Sequence, residues 1–171
     1  MFLFFRLLCY NKIGDLMKKK LKDIYVFGII FLIADQLLKI ILSNKMIVNQ
    51  TFIIIKNFFS IRLVHNTGAA FSIFSDSIFL LIIIGIGALI GLIFYIKSLD
   101  VIDDIDTFVY ALLIGGIAGN LIDRIVYGYV IDYLSFNFGE FYFPIFNFAD
   151  ICIVVAALII LIRTIKESLW K

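Results

Sequence analysis

Asp150 opens the run "DICIVVAALIILI", after which the next charged residue is Arg163. An ionisable side chain within such a stretch costs roughly 2.5 to 3.5 kcal/mol or more in a bilayer, and marks a functional site by default. It has polar company. Asp35 and Lys39 fall four residues apart in "DQLLK", on one face of a helix. "GNLIDR" carries Asn120, Asp123 and Arg124, and Asp132 follows in "YVIDYL". Asn147 lies three residues before Asp150 in "FNFAD", and Asn66 with Gly68 stands in "HNTGAAFS".

Two carboxyls brought into one site cannot both ionise, so one keeps a proton while the other stays charged. The charged one can take a proton from water. The neutral one can hydrogen-bond a scissile carbonyl and then protonate the leaving amine. That is peptide hydrolysis with no metal and no cofactor, and neither is expected here. His65 is the single histidine, and Cys9 and Cys152 have neither metal nor redox spacing. By position, both Asp123 and Asp132 are candidates to pair with Asp150. Arg124, next to Asp123, would hold that carboxylate ionised, whereas Asp132 is flanked by Ile131 and Tyr133 and is free to share a proton. Plainer roles are open too: a structural ion pair for Asp35 and Lys39, an interfacial pair for Asp123 and Arg124, a helix N-cap for Asn147, and an interfacial position for His65.

The elements that must position these residues are membrane spans. The chain of 171 residues is 63% hydrophobic and 16% charged, against about a quarter charged in soluble domains. Four stretches approach the roughly 20 residues a spanning helix needs: about 24–42, 78–96, 107–122 and 146–165. "MKKKLK" before the first and Arg163, Lys166 and Lys171 at the last place both termini in the cytoplasm. The acidic loop "KSLDVIDDID" then also faces the cytoplasm, and acidic residues weigh little in that rule. The polar residues above gather toward the outer face. The segment from Ser43 to Ser77, rich in Ile, Val and Phe, predicts two or three short strands at the membrane surface. Gly87 and Gly91, and Gly115 and Gly119, have the spacing that lets helices approach closely. Residues 1–16 are too short in apolar length to span, and Met17 with its three lysines is the more natural beginning, so this extension is expected to be dispensable. A net charge of +2 gives no argument for nucleic acid.

In order along the chain, "DQLLK", "NTGAAFS", "GNLIDRIVYGYVIDYL" and "FNFAD" resemble the bacterial lipoprotein signal peptidases (signal peptidase II), from about Met17 to the end. The motifs are specific in combination. The resemblance implies a four-transmembrane-helix bundle with a small outward-facing β-sheet cradle, in the bacterial cytoplasmic (inner) membrane, with the active site at the outer face. It implies an aspartic endopeptidase that cleaves diacylglyceryl-modified prolipoproteins just before the lipidated cysteine. Asp132 and Asp150 then look like the catalytic dyad, with Asn66, Asn120, Asp123, Arg124 and Asn147 as a supporting shell and Asp35 and Lys39 as the first-helix pair. The expected partners are such prolipoproteins and membrane lipids, with the chain acting as a monomer. Three other classes fit less well. A proton-coupled transporter should show midplane acids and repeat symmetry. A serine protease would need Ser43 and Lys45 aimed at a common site. A non-enzymatic assembly factor leaves the aspartates unexplained.

Overall fold

Long apolar runs without proline become helices, and the computed structural model describes residues 2–68, 77–139 and 141–170. The order is α1 (Phe2–Lys45), β1 (Thr51–Ile55), β2 (Phe59–Asn66), α2 (Ile78–Ser98), α3 (Asp104–Tyr127), β3 (Val130–Phe138), β4 (Phe141–Tyr142) and α4 (Phe148–Leu169). Four of these helices are long and apolar enough to cross a membrane, the first over Leu16–Lys45. Three spans agree with expectation to within a few residues at each end. The expected 24–42 span lies within the first of the four, and the helix itself continues N-terminally to Phe2, because the charges of "MKKKLKD" end an apolar run without breaking a helix.

α3 is the hub. Of its apolar window 56% is buried, against 6% for α2, and it packs on α1, α2 and α4. Glycines permit that closeness. A Cβ at Gly115 would stand 2.9 Å from the Gly28 carbonyl oxygen on α1, and one at Gly116 would stand 2.6 Å from the Ala149 carbonyl oxygen on α4. At Gly119 it would meet Asp35 Oδ2 at 2.5 Å. Gly87 and Gly91 correct the expectation: a Cβ at either has nothing within 4 Å, so their spacing serves no helix contact among the described residues.

At the end remote from Asp150, the acidic "DDID" stretch caps and ties the bundle. Asp103 is the α3 N-cap, in a reciprocal capping box with Asp106. Arg163 of α4 reaches Asp106 at 2.7 Å and Asp103 at 2.9 Å, and Lys20 of α1 pairs with Asp104.

At the other end a sheet of order β1-β2-β3-β4 covers the helices. The β1–β2 hairpin turns at Asn57, whose φ of 59° an asparagine tolerates. Two of these strands come from the expected segment. The other two come from Val130–Phe138 and Phe141–Tyr142, which had no expected structure. Gly128 ends α3 with a left-handed φ of 77°, which reverses the chain two residues before β3 begins. β3 then runs antiparallel to β2, with Val64 opposite Asp132 and Asn66 opposite Val130.

Candidate active site

The site is assembled at the first turn of α4, where four backbone N–H groups have no partner within the helix. All four are met by side chains. Asn147 N–H donates to Asp150 Oδ2 at 3.1 Å, and Asp150 N–H donates to Asn147 Oδ1 at 3.0 Å, which makes Asn147 an N-cap in a capping box. Phe148 N–H donates to the Tyr133 hydroxyl at 3.2 Å, and Ala149 N–H donates to Asp35 Oδ1 at 3.0 Å. Helix start and site are one structure.

Asn147 does more than cap. Its Nδ2 donates to Asp132 Oδ1 at 2.7 Å and to Asn120 Oδ1 at 3.0 Å. Asn120 Nδ2 in turn donates to Asp150 Oδ1 at 2.7 Å. The orientation of Asn120 is forced, because Lys39 can only donate and lies 3.1 Å from Asn120 Oδ1. The amide must therefore turn its N–H groups toward Asp150. Asn66 Nδ2 holds Asp132 Oδ2 at 2.8 Å, and Asn66 Oδ1 accepts from Gly68 N–H at 3.0 Å. Of the "NTGAAFS" stretch, Ala69 to Ser72 lie outside the described residues.

Connected to these aspartates through Asn120 lies a buried ion cluster. Lys39 Nζ sits 2.8 Å from Asp35 Oδ2 and 2.8 Å from Asp123 Oδ2. The expected Asp35–Lys39 ion pair is thus there, with Asp123 as a third member. This corrects the expectation that Asp123 pairs with Arg124. Asp123 points inward to Lys39, while the Arg124 guanidinium turns the other way. It makes contacts of 3.4 Å to the carbonyls of Asn120 and Gly68, and its buried Nε has no hydrogen-bond partner among the described residues.

Asp132 and Asp150 line one cavity of about 670 Å³, with Asn66, Asn120 and Arg124 around them. His65 and Thr67 also line it, and most of the remaining wall is apolar, including Ile151, Val154 and Val155 on α4 and Phe143 to Phe146. Asp132 is almost fully buried, and burial followed by the charge of Asp150 pushes its pKa up to about 7, against the pull of the Asn66 and Asn147 amides. Such a carboxyl can hold a proton near neutral pH. Asp123 does not line this cavity. Of the alternative pair, Ser43 lines a different cavity and Lys45 neither. His65 stacks on Tyr129 with ring centroids 3.8 Å apart. Two contributors were missed by sequence reasoning. Tyr133 was read only as an uncharged neighbour of Asp132. Gln36, three residues before Lys39 on the same helical face, carried a spacing signal that went unused.

Comparison with known proteins places the chain. The family model described as "Signal peptidase (SPase) II" matches residues 27–166. A "Lipoprotein signal peptidase" of Clostridium tetani is 37% identical over 146 residues, which are 85% of this chain and 92% of that protein. One of the same description from Symbiobacterium thermophilum is 35% identical over 130 residues, 76% of this chain and 86% of the relative. A solved structure described as "Bacterial membrane enzyme structure by the in meso method at 2.3 A resolution" superposes with a TM-score of 0.79 at 30% identity, over 85% of this chain and 88% of that one. The chain is a multi-pass membrane protease and belongs to the signal peptidase II family.

Proposed function

We propose that this enzyme is an aspartic endopeptidase that removes the signal peptide from diacylglyceryl-modified prolipoproteins, cleaving just before the lipidated cysteine. The observation that carries the reading is one cavity with two aspartates at its polar end and the apolar flank of α4 as its wall. A peptide bond beside two acyl chains needs both. The names of the curated relatives support the same substrate class.

In the working enzyme Asp132, the buried carboxyl, holds the shared proton, and Asp150 is charged. Asp150 takes a proton from water as that water attacks the scissile carbonyl. Asp132 donates a hydrogen bond to the carbonyl oxygen and then a proton to the departing amine. Asn120, Asn147 and Asn66 hold the dyad without adding charge. Arg124, whose Nε has no hydrogen-bond partner among the described residues, lines the same cavity and is placed to steady the developing negative charge.

Both termini and the 97–106 loop are cytoplasmic, and the dyad faces the outer side of the cytoplasmic membrane, where water meets lipid. The enzyme acts as a monomer, since one chain supplies the dyad and its whole shell, and residues 1–16 are dispensable. The test is cleavage by purified protein in lipid of a prolipoprotein with and without its diacylglyceryl group. Loss of a signal-peptide-sized fragment from the lipidated form alone supports the reading. Equal cleavage of both, or of neither, sinks it.

A further inference from the structure

Each dyad aspartate follows a residue whose backbone N–H is gripped by a buried carboxylate. Ile131 N–H donates to Asp123 Oδ2 at 3.0 Å, one residue before Asp132. Ala149 N–H donates to Asp35 Oδ1 at 3.0 Å, one residue before Asp150. Both carboxylates share Lys39, which spends its three N–H bonds on Asp35, Asp123 and Asn120. Two carboxylates against one ammonium leave a negative charge that further donors must satisfy at such burial. Gln36 Nε2 is that donor: it lies 3.0 Å from Asp123 Oδ1, 3.3 Å from Asp35 Oδ2 and 3.2 Å from the Gly119 carbonyl oxygen.

We infer that Gln36 is a positioning residue for the hydrolysis: its carboxamide sets the rotation of Asp35 and Asp123, and through their grips on Ala149 and Ile131 it sets the placement of Asp150 and Asp132. The inference rests on the reading of those two aspartates as the catalytic dyad. Asp123 shows why. Its Oδ2 serves Lys39 and Ile131, and its Oδ1 has Gln36. Without Gln36, a fully buried Oδ1 is left bare, and the carboxylate turns it toward Lys39. That turn takes Oδ2 off Ile131 and loosens the start of β3. A shift of about 1 Å at reacting groups can cost about a hundredfold in rate.

Gln36 also lines a second cavity of about 620 Å³, with Ser43, Asn44, Tyr127 and Tyr129, whose lining among the described residues shares only His65 with that of the dyad. A titratable side chain at this position would therefore exchange protons without passing through the substrate cavity. The test follows from that. Gln36→Leu and Gln36→Glu are made in the full chain, and kcat and KM per folded enzyme are measured from about pH 5.5 to 8.5, with Asp132→Asn in parallel. Gln36→Leu should lower kcat roughly ten- to hundredfold with KM unchanged, by the same factor at every pH. Gln36→Glu should behave differently. Ionised, it sets a third carboxylate against one lysine; protonated, its O–H donates where the amide did. Its rate relative to the unsubstituted enzyme should therefore climb several-fold as pH falls. If folded Gln36→Leu turns over normally and only melts earlier, Gln36 is packing and the inference is overturned. A Gln36→Glu ratio that stays flat with pH overturns it equally. If Gln36→Leu does not accumulate as folded protein, the Gln36→Glu ratio decides alone. Cleavage by Asp132→Asn would instead remove the dyad reading on which the inference rests.

Discussion

The pKa of Asp132 has a direct kinetic consequence. Burial and the charge of Asp150 raise it to about 7, so the carboxyl is protonated below that pH and ionised above it. If the working dyad carries one proton, kcat/KM should hold below about pH 7 and fall as pH rises through it, since kcat/KM reports the free enzyme. Asn66 sharpens the test. Its N–H stabilises the ionised form of Asp132, so Asn66→Ala should move this alkaline limb to higher pH, whatever it does to the absolute rate. A limb that stays in place, or moves down, would mean that some other group sets it. At this scale most residues of the candidate site were legible in the sequence, because carboxylates and asparagines stand out in apolar surroundings. It misread the partner of Asp123, since Arg124 is adjacent in the chain while Lys39 is adjacent only in the fold.

Among the elements, α3 succeeds as the hub because it presents no side chains where its neighbours come closest. Gly119→Ala should destabilise the folded protein by about 1–3 kcal/mol, because the new methyl meets Asp35 in a buried cluster that cannot give way. Gly87→Ala and Gly91→Ala should be neutral or slightly stabilising, because among the described residues nothing stands within 4 Å of a Cβ at either. Thermal unfolding in one detergent ranks the three, and an equal loss at Gly87 would show that this face of α2 is covered after all. The spacing of small residues was legible in the sequence, but whether a helix covers them was not. β3 was missed for a related reason. Its core position Asp132 is polar, so the alternation that marks a half-buried strand is interrupted at a candidate site residue.

The whole molecule has two polar ends of different character. One holds Asp132, Asp150 and the buried ion cluster. The other is clasped by Arg163 and Lys20 on the acids of α3, which explains the acidic "DDID" segment: it caps a helix and binds two neighbours. Single-cysteine labelling in a Cys9- and Cys152-replaced background should find Asn57 reachable from outside the cell and Asp103 shielded. The reverse pattern would invert the proposed topology. Four helices were legible because spans of apolar sequence have few alternatives in a bilayer. The start of α1 was not, since hydropathy marks where a membrane ends and says nothing about where a helix does.

On the proposed mechanism Asp132 and Asp150 together perform the hydrolysis while Asp123 holds the scaffold. Cleavage of a diacylglyceryl prolipoprotein per unit of folded enzyme, measured for Asp132→Asn, Asp150→Asn and Asp123→Asn side by side, tests it most directly. Asp132→Asn and Asp150→Asn should accumulate in the membrane and cleave nothing measurable. Asp123→Asn should instead lose folded yield, because it breaks a buried pair with Lys39, a change that typically costs about 3–5 kcal/mol, and what does fold should still cleave, more slowly because the hold on Ile131 is weakened. Normal cleavage by Asp132→Asn, with folded but inactive Asp123→Asn, would contradict the account and move the dyad to Asp123 and Asp150.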